Sequence, residues 1–182
     1  LTSSGAGLVP DITLHPVSLA YSGDWRDDKT TLNFYTSLSY NAFPGGNDGA
    51  QSDFKASRGA GGGASADYVI WRAGLNLQQV LPYDFSMRFT ANAQTTRNAL
   101  VAGEQFGVGG ANSVRGFNER VYSNDKGHQA SIELYTPELA NKFHFEGGRL
   151  RFLVFYDTAS LSRNFIQAGE QTGLGIDSVG IG

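Results

Sequence analysis

The chain has 182 residues, of which 14 are Lys or Arg and 17 are Asp or Glu, and it contains no cysteine. A formal charge of -3 excludes general nucleic-acid affinity, and the missing thiols exclude a disulfide framework or a thiolate metal site. No run of about 18 apolar residues is present, which excludes a transmembrane helix.

The remaining composition is 40% hydrophobic with 24 Gly and only 5 Pro, which suits a loop-rich β protein with one sizeable core. Leu1 to Pro10 reads as the tail of a loop. Period-two alternation starts near Asp11, with Ile12 and Leu14, a phase change at His15-Pro16, then Val17, Leu19 and Tyr21. A bulge is expected at that proline. After a polar turn over Gly23 to Lys29, a second strand places Leu32, Phe34, Leu38 and Tyr40 opposite Thr31, Asn33, Ser37 and Ser39. A long polar connection over 43–66, with the glycine-rich run Gly59 to Gly63, precedes a third strand carrying Val69, Trp71, Ala73, Leu75 and Leu77. The tight turn Leu81 to Asp84 leads to a fourth, with Phe85, Met87 and Phe89 opposite Ser86, Arg88 and Thr90. A fifth strand has Ala130, Ile132 and Leu134 opposite Gln129, Ser131 and Glu133. A sixth has Leu150, Phe152, Val154 and Tyr156 opposite Arg149, Arg151 and Asp157, and a seventh begins near Gly173. No segment keeps a 3.6-residue period, so helix is expected to be nearly absent.

Two features favour a membrane barrel over a soluble sandwich, which can also alternate in this way. Most strands reach about 9–11 residues, the length of a tilted bilayer-spanning strand. Connections alternate between short or middling (near Trp25, Pro82 and 138–147) and long (43–66, 98–127 and 158–172), as in outer-membrane barrels. Charges on the polar faces, Arg72, Arg88, Glu133, Arg149, Arg151 and Asp157, are costly in a dry core and acceptable in a wet lumen. Seven strands is an odd number. The chain opens on Leu1 and closes on Val179-Gly180-Ile181-Gly182 in the middle of a strand pattern, so it reads as an internal part of a longer barrel.

Catalytic chemistry finds no foothold. His15, His128 and His144 lack ligand spacing, Gly107-Val108-Gly109 lacks a Walker lysine, and neither Ser113 nor Ser131 has a recognisable base. No catalytic residue, cofactor, metal or nucleotide is expected. The stretch Gln105 to Leu134 is different, because its loop carries Arg115 and Phe117 at a glycine-flanked tip. If it folds back between the strands, Arg115 meets Asp157 on a polar face. Such a pair at about 4 Å is worth ~4 kcal/mol gross at an effective dielectric near 20, cut toward ~1 kcal/mol by water.

Val114-Arg115-Gly116-Phe117, Asn124-Asp125-Lys126-Gly127, Glu133-Leu134 and Phe155-Tyr156-Asp157-Thr158-Ala159 resemble motifs of the two-partner secretion transporters (TpsB, haemolysin secretion/activation type) of the BamA-like superfamily. The specific match covers about 55 residues. The resemblance implies a loop-tip motif (Val114, Arg115, Gly116, Phe117), a lumen-wall partner motif (Phe155, Asp157) and supporting positions Asp125, Gly127 and Glu133. Asn124 and Ala159 stand where that family often has glycine. It further implies an outer-membrane barrel of about 16 strands behind periplasmic domains, of which this chain covers roughly strands eight to fourteen. The implied activity is secretion of a large unfolded exoprotein, with loop 98–127 as a lumen gate and lipid as the other partner. Alternatives are a BamA-like insertase and, more distantly, a soluble carbohydrate-binding β protein using Trp71.

Overall fold

The computed structural model describes residues 11–58, 63–144 and 147–182; the expectations for Leu1 to Pro10 and for 59–62 lie outside them. These residues form mostly antiparallel strand. Seven strands make one meander: β1 (Pro16–Arg26), β2 (Thr30–Asn41), β3 (Val69–Val80), β4 (Ser86–Thr95), β7 (Lys126–Tyr135), β8 (Leu153–Ser162) and β9 (Gly173–Ile181). Between β4 and β7 a small separate hairpin pairs β5 (Phe106–Val108) with β6 (Tyr122–Asn124). A short helix, α1 (Gln51–Ser57), interrupts the connection from β2 to β3.

Period two dictates the faces. Register links Gly23, Phe34, Leu75, Ala91, Ala130, Thr158 and Asp177 into one row across the seven strands, on the face that also carries the exposed apolar side chains. The next row is Asp24, Asn33, Asn76, Thr90, Ser131, Asp157 and Ser178, on the polar face. A soluble protein does not leave a sheet-wide apolar surface uncovered. Here Leu19 is 79% and Val179 is 79% exposed.

The apolar surface also runs obliquely. On β2 it extends from Leu32 to Tyr40. Toward β8 it covers Phe152, just before the strand, then Val154 and Tyr156 within it, and gives way to Thr158, Ser160 and Ser162. Its centre therefore shifts by about six residues over four strand steps, ~20 Å along the strands against ~19 Å across them, or roughly 45°. Membrane barrels tilt their strands by about 35–45°, so a level hydrocarbon layer drawn over this sheet covers the apolar residues and leaves Asp177 and Ser160 beyond its rim.

Three differences from the sequence pattern have physical causes. β1 starts at Pro16, and Ile12 and Leu14 lie outside it. Proline at a strand's first position removes no ladder bond, and Asn41 Oδ1 accepts the preceding His15 N–H at 2.7 Å, so no bulge is needed. β1 also continues through Gly23 to Arg26, narrowing the turn to Asp27–Lys29, where Asp27 Oδ1 accepts the N–H groups of Lys29 and Thr30. Gly23 keeps its place because the Phe34 ring lies over it, 2.7 Å from where a Cβ would sit. Finally, α1 was invisible to periodicity because seven residues make barely two turns. It buries Phe54 in a core with Tyr68, Ile70, Leu100 and Val101 at the long-loop end of the sheet.

Candidate functional site: the Arg115 loop and its anchors

The loop tip lies against the polar face of β7 and β8. Strand alternation sets out its anchors: Ser131 pairs with Asp157 and Glu133 with Phe155, so all four side chains stand on the polar face. Arg115 enters this square side-on. Its Nε and Nη2 donate to Asp157 Oδ2 and Oδ1 at 2.7 and 2.6 Å, a bidentate fork. Its Nη1 donates to Glu133 Oε1 at 2.6 Å, Nη2 also donates to Ser131 Oγ at 3.1 Å, and its backbone N–H reaches Asp157 Oδ2 at 3.1 Å. The planar guanidinium suits this task because it offers five donors in fixed directions.

The surroundings complete the geometry. The Arg115 guanidinium carbon stands 3.5 Å above the Phe155 ring centroid, a cation–π contact. That ring lies flat across β9 because its neighbour there is Gly180, where a Cβ would come within 2.5 Å of it. Ser131 Oγ donates to Asp157 Oδ1 and Tyr135 Oη to Glu133 Oε2, each at 2.6 Å. Arg88 stands 3.9 Å from Glu133. The Asp157 side chain is fully buried while Arg115 keeps 26% of its surface, so the carboxylate has no solvent contact while the loop stays in place. Removing a partner from such a buried pair costs about 3–5 kcal/mol, well above the ~1 kcal/mol expected for a wet pair.

The peg beside this fork is apolar. Val114 is fully buried with Val108, Ala159, Leu161 and Ile176. Gly116 follows at φ +88°, a left-handed turn that sends the chain back out. Phe117 is 36% exposed and lies outside both groups. Ser113 Oγ donates to Gln129 Oε1 on β7.

Asp125 occupies a second buried site. Its carboxylate accepts the N–H groups of Leu100 at 2.8 Å and Asn164 at 2.9 Å, and Arg58 Nη1 at 3.3 Å. These partners come from three different long connections, so Asp125 ties together the cap at that end. Gln94 Nε2 bridges the carbonyls of Asp125 and Glu104. Gly127 is the second residue of β7, where a Cβ would fall 2.6 Å from the Ser160 carbonyl oxygen.

Of the residues singled out in the sequence, Arg115, Asp157, Glu133 and Phe155 converge, Val114 packs beside them, and Asp125 and Gly127 serve the cap and the start of β7. Ser131, Tyr135 and Arg88 were missed, although Ser131 and Tyr135 flank Glu133 at period two. Arg58 and Asn164 gave no signal at all, since they lie in aperiodic loops.

With this geometry in hand, comparison with known proteins is informative. The family model described as haemolysin secretion/activation protein ShlB/FhaC/HecB matches residues 24–182. The chain belongs to that family. No curated protein and no solved structure matches it. A haemolysin secretion/activation protein is a two-partner secretion transporter of outer-membrane type, with a secreted exoprotein as partner. Of the two departures from the family's motifs, Asn124 sits in extended β6 opposite Phe106 with its side-chain oxygen buried and unpaired among the described residues, and the Ala159 methyl fills the small core around Val114.

Proposed function

We propose that this chain is the C-terminal-half part of a closed outer-membrane barrel that passes a large unfolded haemolysin- or adhesin-type exoprotein, with loop 98–127 as its lumen gate. The polar face of the sheet is the lumen wall and the apolar face meets lipid. β1 and β9 each pair on one side among the described residues, and an open edge cannot persist in a bilayer, so further strands complete the wall. No nucleotide drives the passage; folding of the cargo outside does.

The single observation that supports the gate is the Arg115 cluster, in which a loop side chain satisfies two wall carboxylates at 2.6 Å. Its bonds are all exchangeable for water or for a passing chain, so the loop can be held without being fixed. The test is secretion by Arg115→Ala and Asp157→Ala, with barrel assembly followed separately by heat-modifiable mobility. Both variants should assemble and secrete poorly. Normal secretion by both would overturn the gate.

A further inference from the structure

Beside the loop, the lumen wall offers a patch of a different chemistry. The polar face of β2, β3 and β4 presents Asn33, Tyr35, Asn76, Thr90 and Asn92, none of them charged. Two cavities of about 260 Å³ each share Asn76, Thr90 and Asn92; one runs under the loop at Asn112 and Ser113, and the other opens toward Asn33 and Tyr35. Asn76 Oδ1 is buried with no hydrogen-bond partner among the described residues. The Asn92 Oδ1 accepts Tyr35 Oη at 3.3 Å, while its NH2 group donates to nothing among the described residues. Tyr35 reaches it across Gly74, where a Cβ would collide with the Tyr35 ring at 2.3 Å. A buried acceptor without a donor costs stability, and the adjoining cavities leave room for a donor to reach Asn76.

We propose that this amide-rich lane is a binding track for the backbone of an extended, unfolded polypeptide. A carboxamide has the donor and acceptor set of a peptide group. Along each wall strand, successive polar-face residues stand ~6.7 Å apart, which is the spacing of alternate residues in an extended chain. Folded proteins have their backbone groups already paired, so the lane engages unfolded chain only. Arg88, Arg115, Glu133 and Asp157 also line the first of the two cavities, whereas the second is lined by uncharged residues, so the lane is neutral at its β2 end and charged beside the fork. The fork at Arg115 occupies β7 and β8, so the track is open on β2 to β4 while the loop stays anchored.

This proposal rests on the transporter reading, and the experiment separates the two. In the purified full-length protein, a photocrosslinking residue replaces Asn33. The probe is an uncharged, unstructured Gly/Ser/Thr peptide of about 30 residues, used beside a copy N-methylated along its backbone to remove its donors. The peptide should crosslink, and the methylated copy should crosslink at least about fivefold less, since each lost hydrogen bond is worth roughly a factor of 2–10. Equal crosslinking of the two, or none with either, overturns the lane. In cells, Asn76→Leu with Asn92→Leu should lower secretion, and Asn76→Gln with Asn92→Gln should restore most of it. Normal secretion by an assembled Leu pair also overturns the lane; if the Leu pair fails to assemble, the crosslinking result decides. Secretion that persists when the whole transporter is deleted removes the transporter reading and leaves the crosslinking result standing.

Discussion

Two fully buried aspartates each meet an arginine in this molecule, and they are held in opposite ways. Asp125 takes two backbone N–H groups, from Leu100 and Asn164, and its arginine sits at a looser 3.3 Å. Asp157 depends on Arg115 for three of its bonds, helped by Ser131 alone. Backbone donors belong to the folded path of the loops around Asp125 and cannot swing away. At Asp157 the two fork bonds and the one backbone bond all come from Arg115, so they leave together if the loop tip lifts. The cap is therefore built as structure, and the proposed gate as a latch.

The largest expected effect breaks the structural half of the comparison. Asp125→Ala strands buried donors from three connections, and the loss should exceed about 3 kcal/mol. Protease should then cut the long connections, and assembled protein should fall. Arg115→Ala should cost a similar amount locally, through the uncompensated Asp157, yet leave the cap protease-resistant. Adding Asp157→Asn to Arg115→Ala should recover at least about 1 kcal/mol, because it removes the stranded charge; strict additivity of the two changes would show that the side chains are uncoupled. The reversed pair, Arg115→Asp with Asp157→Arg, should regain part of the secretion lost by either single change. Glu133→Gln should have a milder effect, about 1–2 kcal/mol, since the bidentate fork to Asp157 remains. Phe117→Ala should change stability by less than about 0.5 kcal/mol, so any secretion defect it causes reports on cargo and not on the latch.

The contrast also explains what could be read in advance. Strand faces follow from alternation alone, which put Asp157, Glu133 and Arg88 on one side and Val154, Tyr156 and Leu134 on the other. Alternation also offered Asp157 as a partner for Arg115 if the loop folded back; that it does so rested on the VRGF resemblance, because 42 residues separate the two and no period links them. Asp125 could be marked by the same resemblance, but its partners could not. Arg58 lies 67 residues away in a connection without pattern, and Leu100 and Asn164 contribute backbone groups that every residue type carries. The strand start at Pro16 was misread because Ile12 and Leu14 keep the alternation while packing against the cap core. Hydrophobic periodicity reports burial and says nothing of which backbone group the next N–H will find.

Every wall contact of Arg115 is made on β7 and β8, the two strands that immediately follow its loop, and Phe155 leans on β9 next in line. Closing the 42 residues between Arg115 and Asp157 costs only slightly more than closing a shorter loop, because the entropic penalty grows with the logarithm of length. The latch thus asks nothing of the strands that come before it. If the loop is the gate proposed above, it can click shut on a hairpin while the cylinder is still open, so that the channel would be stoppered from the moment it first exists and the membrane would never meet an unguarded hole.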